Sequence, residues 1–213
     1  MALANQGSVG APTGVLGDGV ARDFRYDAYG AQVVQLASGR FREAVLRGNC
    51  YAGQTAATGV APGTAIGTGA AFALYNPAGS GKRLVILRAT MAYVSGTLGS
   101  GFISWCASTN VVAAAVTGTA ITAVNCLIGG PSAAVGKPLT TATLPAAPTP
   151  VAPFCSMAPL LATSVVQPFQ VVDEVAGGLV VDEGGAVSLQ ETGAGGTAPL
   201  VVFSVTWEEV TAP

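Results

Sequence analysis

The chain has 213 residues, of which 50% are hydrophobic and only 9% are charged, against about 25% charged in an average soluble protein. It contains no histidine, its net charge is −2, and no acidic residue occurs between Glu43 and Asp173. Enzymes usually rely on histidines, carboxylates or metal ligands, and nucleic-acid-binding proteins on an excess of basic residues. The composition therefore argues against an enzyme, a metal or cofactor site and a nucleic-acid partner.

Residues 1–44 are predicted to form an extended N-terminal arm, followed by one domain at 45–213. Gly, Ala and small polar residues dominate 1–30, but aromatic and charged side chains alternate at 22–29. Arginines and aromatic residues dominate the energetics of many interfaces. We expect this segment to dock either on a partner or on the chain's own domain. The interface candidates are Arg22, Phe24, Arg25, Tyr26, Tyr29, Arg40 and Arg42.

Short apolar runs separated by Gly, Pro, Asn and Thr continue from residue 32 to the end. They predict strands at 32–37, 41–47, 70–76, 83–94, 102–108, 120–128, 164–172, 178–182, 186–191 and 200–210. In the last run, Val201, Phe203, Val205 and Trp207 fall on one face and Ser204, Thr206 and Glu208 on the other, which is typical of a half-buried strand. Only 41–47 also fits a helical turn, because Glu43 and Arg47 are spaced i, i+4. Many short strands and no convincing helix predict an all-β fold, an antiparallel sandwich of jelly-roll type.

The glycine-rich segment from Asn76 to Lys82 invites comparison with a phosphate-binding loop. That motif requires Gly where Asn76 stands, Ser or Thr where Arg83 stands, and a helix directly afterwards. Here the most apolar predicted strand, 83–94, follows instead. We therefore predict a tight turn between two strands.

A proline-rich segment, 129–159, is predicted to be a long loop. It contains seven of the thirteen prolines, and proline lacks the N–H that a strand inside a sheet must donate. Such a long loop either packs on its own sheet or extends along a neighbouring subunit.

The charges are segregated along the chain. Residues 51–172 hold four basic residues and no acidic one, whereas 173–213 hold seven acidic residues and no basic one. This layout predicts contacts between oppositely charged surfaces, either between subunits or within one folded chain. Adjacent acids such as Glu208 and Glu209 face opposite sides of a strand, and we expect them to be solvated at strand ends.

The four cysteines, Cys50, Cys106, Cys126 and Cys155, form no CxxC pair. We expect free thiols, with Cys106 and Cys126 buried, and a disulfide between Cys50 and Cys155 is left as an alternative. The first ten residues lack the features of a secretory signal, and no run approaches the roughly 18 apolar residues of a membrane helix. No membrane partner is expected.

Four segments, taken in their order along the chain, resemble structural proteins of tailed-bacteriophage virions, which prophages also encode. The segments are 39–49 (GRFREA followed by RGN at 47–49), 74–82 (LYNPAGSGK), 173–181 (DEVAGGLVV) and 206–210 (TWEEV). The resemblance implies a β-rich virion component that assembles in the host cytoplasm, and it supplies no catalytic residue.

Composition and resemblance together favour a capsid decoration or cement subunit. We expect it to form a homo-oligomer, with a trimer as the first choice, and to bind the major capsid protein or other virion proteins. A tail or fibre component that contacts the host surface is the first alternative. A tail-associated carbohydrate-active enzyme is the second, and it would require carboxylates to converge in a cleft.

Overall fold

The computed structural model describes residues 40–109, 115–157, 170–193 and 196–212. The chain divides into two units, Met1–Arg40 and Phe41–Pro213, and every helix and strand described lies in the second. The elements are α1 (Arg42–Leu46), β1 (Cys50–Gln54), β2 (Gly69–Tyr75), β3 (Lys82–Ser95), β4 (Gly101–Ser108), β5 (Thr117–Ala120), β6 (Val124–Asn125), β7 (Lys137–Thr143), β8 (Thr149–Met157), β9 (Gln170–Asp173), β10 (Leu179–Val181), β11 (Ala186–Glu191) and β12 (Leu200–Thr211).

The strands form two six-stranded sheets, and every pairing among the described strands is antiparallel. Sheet I has the order β10–β3–β12–β1–β6, and β9 pairs with β3 next to β10. Sheet II has the order β5–β7–β2–β11–β4–β8. The sheets pack face to face around one shared apolar core, which confirms the predicted all-β sandwich.

The connectivity is that of a jelly roll when β9 and β10 are counted as one interrupted strand. The chain alternates between sheets through β1, β2, β3 and β4, and then alternates again through β8, β9–β10, β11 and β12. The resulting four-strand orders are β1–β12–β3–β10 and β2–β11–β4–β8. Two interleaved Greek keys produce this arrangement. The insertion β5–β7, between β4 and β8, extends sheet II beyond β2 and sheet I beyond β1.

The core between the sheets is built from the inward-facing residues of alternating strands. On β12, Val201, Phe203, Val205 and Trp207 are all fully buried, as the alternating pattern predicts. On the opposite sheet, Trp105 meets Phe154 edge to face, with ring centroids 6.1 Å apart and an interplanar angle of 88°. Edge-to-face pairs of this kind add about 1 kcal/mol beyond the burial of their surface.

The proline-rich segment does not form the predicted long loop, because β7 and most of β8 lie within 129–159. The backbone tolerates the prolines for positional reasons. Pro138 is the second residue of β7, beyond the part that pairs with β5. Pro150 and Pro153 lie on β8, which is the outermost described strand of sheet II, beside two irregularities in its pairing with β4, and strands tolerate proline at edges and bulges.

Two other strand predictions change in detail. Segment 41–47 takes its helical alternative, α1, and the predicted strand 120–128 is reduced to the end of β5 and the two residues of β6. The predicted strand 32–37 and most of 164–172 lie outside the described residues. The remaining strands begin and end within a few residues of their predicted bounds.

The free edge of sheet I is interrupted between β9 and β10. Both strands pair with β3, but residues 174–178 leave the regular ladder opposite Leu87 and Arg88, and Ala176 and Gly177 adopt φ of 52° and 87°. Amides of these two residues still donate to the carbonyls of Leu87 and Ile86, at 2.8 Å each. The edge therefore carries a bulge in the middle of its length.

Candidate functional site

The predicted interface residues divide into two groups. Arg22, Phe24, Arg25, Tyr26 and Tyr29 lie outside the described residues. Arg40 and Arg42 are described, and both are exposed at the start of α1. Of the predicted interface, the structure therefore describes only the part at α1, and the surface on which α1 lies is considered as the candidate site.

Helix α1 packs on the outer face of sheet I, the face turned away from the core. Ala44 is buried against Cys50 of β1 and Leu87 of β3, with Phe41 and Val45 packed beside them. The sheet residues next in sequence, such as Tyr51 and Ile86, point the other way, into the core. An ion pair joins Arg47 Nε to Glu43 Oε1 at 3.0 Å, across one turn of the helix. Leu46 remains 55% exposed on this helix.

The strand register defines the rest of this surface, which we call the α1 face. Residues that pair across antiparallel strands point to the same side. One row runs Val124, Ala52, Thr206 and Arg88, and a second runs Cys50, Glu208, Val85 and Val180. A third runs Gln54, Ser204, Thr90 and Val172. The α1 face thus carries large apolar side chains on both edge strands, and Val124, Val172 and Val180 are each about half exposed.

One buried side chain, Asn125, ties α1 to the turn that follows β6. Its amide nitrogen donates to the carbonyls of Gly48, at 2.8 Å, and Pro131, at 2.9 Å. Its amide oxygen accepts the Leu127 N–H at 2.8 Å. This network holds the tip of the turn in place, where Ile128 is 85% exposed. Ile128 is thus an exposed apolar side chain on a turn that is anchored by hydrogen bonds.

The glycine-rich segment is a turn between β2 and β3, as predicted. Its backbone amides form a small anion cradle, and a carboxylate of the same chain occupies it. Glu183 accepts the Gly79 N–H at 3.1 Å and the Gly81 N–H at 2.7 Å. Asn76 closes the other side by donating to the carbonyls of Lys82 and Val181. The groups that would face a phosphate in a phosphate-binding loop are thus engaged by Glu183.

The acidic C-terminal part of the chain folds back on the basic middle. Arg83 Nε lies 3.0 Å from Asp182 Oδ1, and Arg88 Nη1 lies 3.8 Å from Glu174 Oε1. The first contact, a hydrogen bond from Arg83, lowers the pKa of the Asp182 carboxyl. For these two arginines, the intrachain alternative explains the segregation of charge.

Three carboxylates are turned inward, and two of them, Asp173 and Glu209, were expected in solvent. Asp173 accepts a hydrogen bond from Trp105 Nε1 at 2.8 Å. Glu209 is buried and accepts the amides of Val135 and Gly136 as well as Trp207 Nε1 at 3.1 Å. The third, Glu191, is described next. The burial of Glu209 could have been predicted from the sequence, because Glu209 lies two residues after Trp207 on β12 and therefore on the same, apolar face of the strand.

Glu191 lies in the core without a partner. It is 0% exposed, it pairs across the sheet with buried Ile103, and neither carboxylate oxygen has a hydrogen-bond partner in the described part of the chain. Burial in this apolar setting raises its pKa from 4.5 to about 7. The carboxyl therefore stays protonated to nearly neutral pH.

The cysteines are all free thiols, and two of them are neighbours. The register of β1 with β6 places Cys50 opposite Cys126, and the Cys126 N–H donates to the Cys50 carbonyl at 2.8 Å. Cys155 instead pairs with Ile103 and packs on the core, so the alternative disulfide between Cys50 and Cys155 is wrong. Cys106 is buried as predicted, whereas Cys126 is only half-buried.

Comparisons with protein-family models, with curated proteins and with solved structures find no match. No group of three or more Cys, Asp or Glu side chains in the described ranges is arranged to hold a metal ion. Within the same ranges, no helix is long and apolar enough to cross a bilayer. We take the α1 face as the candidate site because it carries exposed apolar side chains on both edge strands.

Proposed function

We propose that this chain is a structural protein of a tailed-bacteriophage virion, and specifically a decoration or cement subunit on the outside of the head. The resemblance of four segments to such proteins supports the proposal. Three of these segments lie in sheet I or against it: 39–49 contains α1, 173–181 contains the interrupted edge, and 206–210 belongs to β12. The fold supports it as well, because jelly rolls are a common architecture of capsid proteins.

The observation that carries the proposal is the composition of the α1 face. Leu46, Val124 and Ile128 belong to elements that Asn125 holds together, and they are 55%, 49% and 85% exposed. Single exposed apolar residues are ordinary, but several on one ordered surface indicate an interaction site. Two exposed basic residues at the start of α1, Arg40 and Arg42, can make forked hydrogen bonds to carboxylates of a partner.

In this proposal the arm, residues 1–44, and the α1 face grip the major capsid protein together. The arm precedes α1 in the chain, and α1 itself packs on the outer face of sheet I. Binding to the assembled shell, and not to free coat subunits, would stabilise the shell by mass action. A trimer would add the affinity of three attachments and would match local three-fold positions on a shell.

The test is recovery of the protein on purified phage heads that lack it. Wild-type protein should co-sediment with the heads to saturation, and Val124→Asp should reduce its occupancy at least tenfold. A charge buried in an interface costs on the order of several kcal/mol. The matched control is Val151→Asp on β8, since Val151 is also 49% exposed but lies on the edge strand of the other sheet.

Equal occupancy for both variants and wild type would contradict the role of the α1 face. Binding of the protein to purified tails but not to heads would favour the tail alternative.

Two further measurements address the arm and the trimer. Deletion of residues 2–30 should leave the circular dichroism of the sandwich unchanged but abolish recovery on heads. Light scattering should give three times the monomer mass. A protein that is monomeric in solution and also bound to the particle as single copies would overturn the trimer.

A further inference from the structure

The second inference concerns the neighbouring thiols Cys50 and Cys126 and does not depend on the proposed function. In an antiparallel pair that is joined by a backbone hydrogen bond, the two Cα atoms lie about 5.5 Å apart. Disulfides need about 4.4–6.8 Å between Cα atoms. The two side chains project from the same face, and both pack in the cluster beneath α1. We propose that Cys50 and Cys126 are a redox-active pair that low-molecular-weight disulfides, such as oxidised glutathione, convert into an intrachain disulfide between β1 and β6.

The surroundings of the pair give the two thiols different roles. The Cys50 thiol donates a hydrogen bond to the Cys126 sulfur, which lowers the pKa of Cys126 to about 7 against the opposing effect of burial, and the positive charge of Arg88 lowers it further. The same hydrogen bond, with burial and then the charge of Glu208, raises the pKa of Cys50, while Arg88 opposes them. Cys126 is half-buried and Cys50 is almost fully buried. Cys126 is therefore the thiol that reacts first with a dissolved oxidant.

The reaction is an exchange in two steps. The Cys126 thiolate attacks one sulfur of the small disulfide, the disulfide bond breaks, and one small thiol leaves as a thiolate that takes up a proton. Cys50 then loses its proton and attacks the Cys126 sulfur, and the second small thiol leaves. In total the protein loses two hydrogen atoms, and one small disulfide becomes two small thiols.

The other two cysteines provide internal controls. Cys106 and Cys155 both lie on sheet II, where their strand partners are Pro150 and Ile103. Burial raises the pKa of both thiols, that of Cys155 to about 11. Neither has a cysteine opposite it in the register, so oxidation should leave both as free thiols.

The disulfide would join the insertion β5–β7 covalently to the first strand of the sandwich, next to the helix that leads to the arm. It would close a ring from residue 50 to residue 126, and a cross-link over a ring of that length stabilises by restricting the unfolded chain. A protein made in a reducing cytosol and later released into an oxidising medium would thus become more stable after release.

The test uses the full-length protein, reduced and then incubated with oxidised glutathione at mildly alkaline pH. Free thiols are counted after denaturation, and the disulfide is located by digestion and mass spectrometry. We expect two of the four thiols to disappear, with Cys50 and Cys126 recovered in one cross-linked peptide pair. The matched control, Cys106→Ser combined with Cys155→Ser, should form the same cross-link, whereas Cys126→Ser should form none.

Three results would overturn the proposal: four free thiols after oxidation of the wild type, a cross-link that includes Cys106 or Cys155, or a stable mixed disulfide on Cys126 with Cys50 still free. The wild-type peptide map decides the question even if a serine variant fails to fold. A thermal midpoint that rises on oxidation and falls again with a dithiol reductant, in wild type but not in Cys126→Ser, would confirm that the cross-link stabilises the fold.

Discussion

Replacement of Glu191 by glutamine should remove most of a pH-dependent loss of stability. The carboxyl is buried, neither of its oxygens has a hydrogen-bond partner among the described residues, and its pKa rises from 4.5 to about 7 on folding. The folded state therefore binds a proton more tightly than the unfolded state does. The stability that comes from the neutral carboxyl is complete below pH 4.5 and is lost as the pH rises through about 7.

The size of the effect follows from the shift. Each pKa unit corresponds to about 1.4 kcal/mol, so the difference between 4.5 and about 7 amounts to roughly 3 kcal/mol at pH values well above 7. Glu191→Gln has nearly the same shape but does not titrate. Relative to this variant, the wild type should lose about 3 kcal/mol of unfolding free energy between acidic and mildly alkaline pH.

Urea unfolding followed by tryptophan fluorescence is a suitable assay, because Trp105 and Trp207 are both buried in the folded protein. Glu174→Gln provides the control, since Glu174 is partly exposed beside Arg88 and the same substitution there changes no buried carboxyl. A difference between wild type and Glu191→Gln that stays constant across this pH range would refute the reasoning. So would an equally large pH-dependent difference between wild type and the control.

Three further substitutions, with Gly79→Ala as a control for one of them, test individual contacts by their effect on the urea unfolding midpoint. Asn125→Ala leaves the carbonyls of Gly48 and Pro131 without their donor and should cost about 2 kcal/mol, and faster proteolysis at the 127–130 turn would confirm local loosening. Gly96→Ala should cost about 2 kcal/mol or more, because its φ is 85° and a Cβ there would collide with the Ala198 carbonyl. Gly79→Ala, with a similar φ but open space, should cost clearly less, and equal losses would contradict the clash. Glu183→Ala frees the amides of Gly79 and Gly81 and should lower stability by about 1 kcal/mol, and an unchanged midpoint would show that the turn holds without it.

The sequence predicted the sandwich well because most strands carry a clear alternating or apolar pattern. The strongest case is β12, where every second side chain is fully buried. Proline content misled the prediction at 129–159. Whether a proline is tolerated depends on which side of the strand lacks a neighbour, and that is decided by distant pairing of β8 with β4.

The candidate site was predictable only in part. Arg40 and Arg42 mark the start of α1, but nothing local in the sequence places the strand β6 beside the segment that follows this helix. That proximity arises from Asn125, whose hydrogen bonds reach back 77 residues to Gly48. Cys50 and Cys126 are likewise neighbours only because β6 of the insertion pairs with β1. The buried position of Glu191 follows from the register of β11 with β4, which places it opposite Ile103.

The interrupted edge of sheet I limits the pairing of strands between copies of this chain. An uninterrupted edge strand offers a row of free N–H and C=O groups to any other copy, and chains of copies can then grow without limit. Here the bulge at 174–178 shortens that row on sheet I, and Pro150 and Pro153 lack the donors on the outer strand of sheet II. Both features reduce the backbone surface on which the strands of another copy could pair.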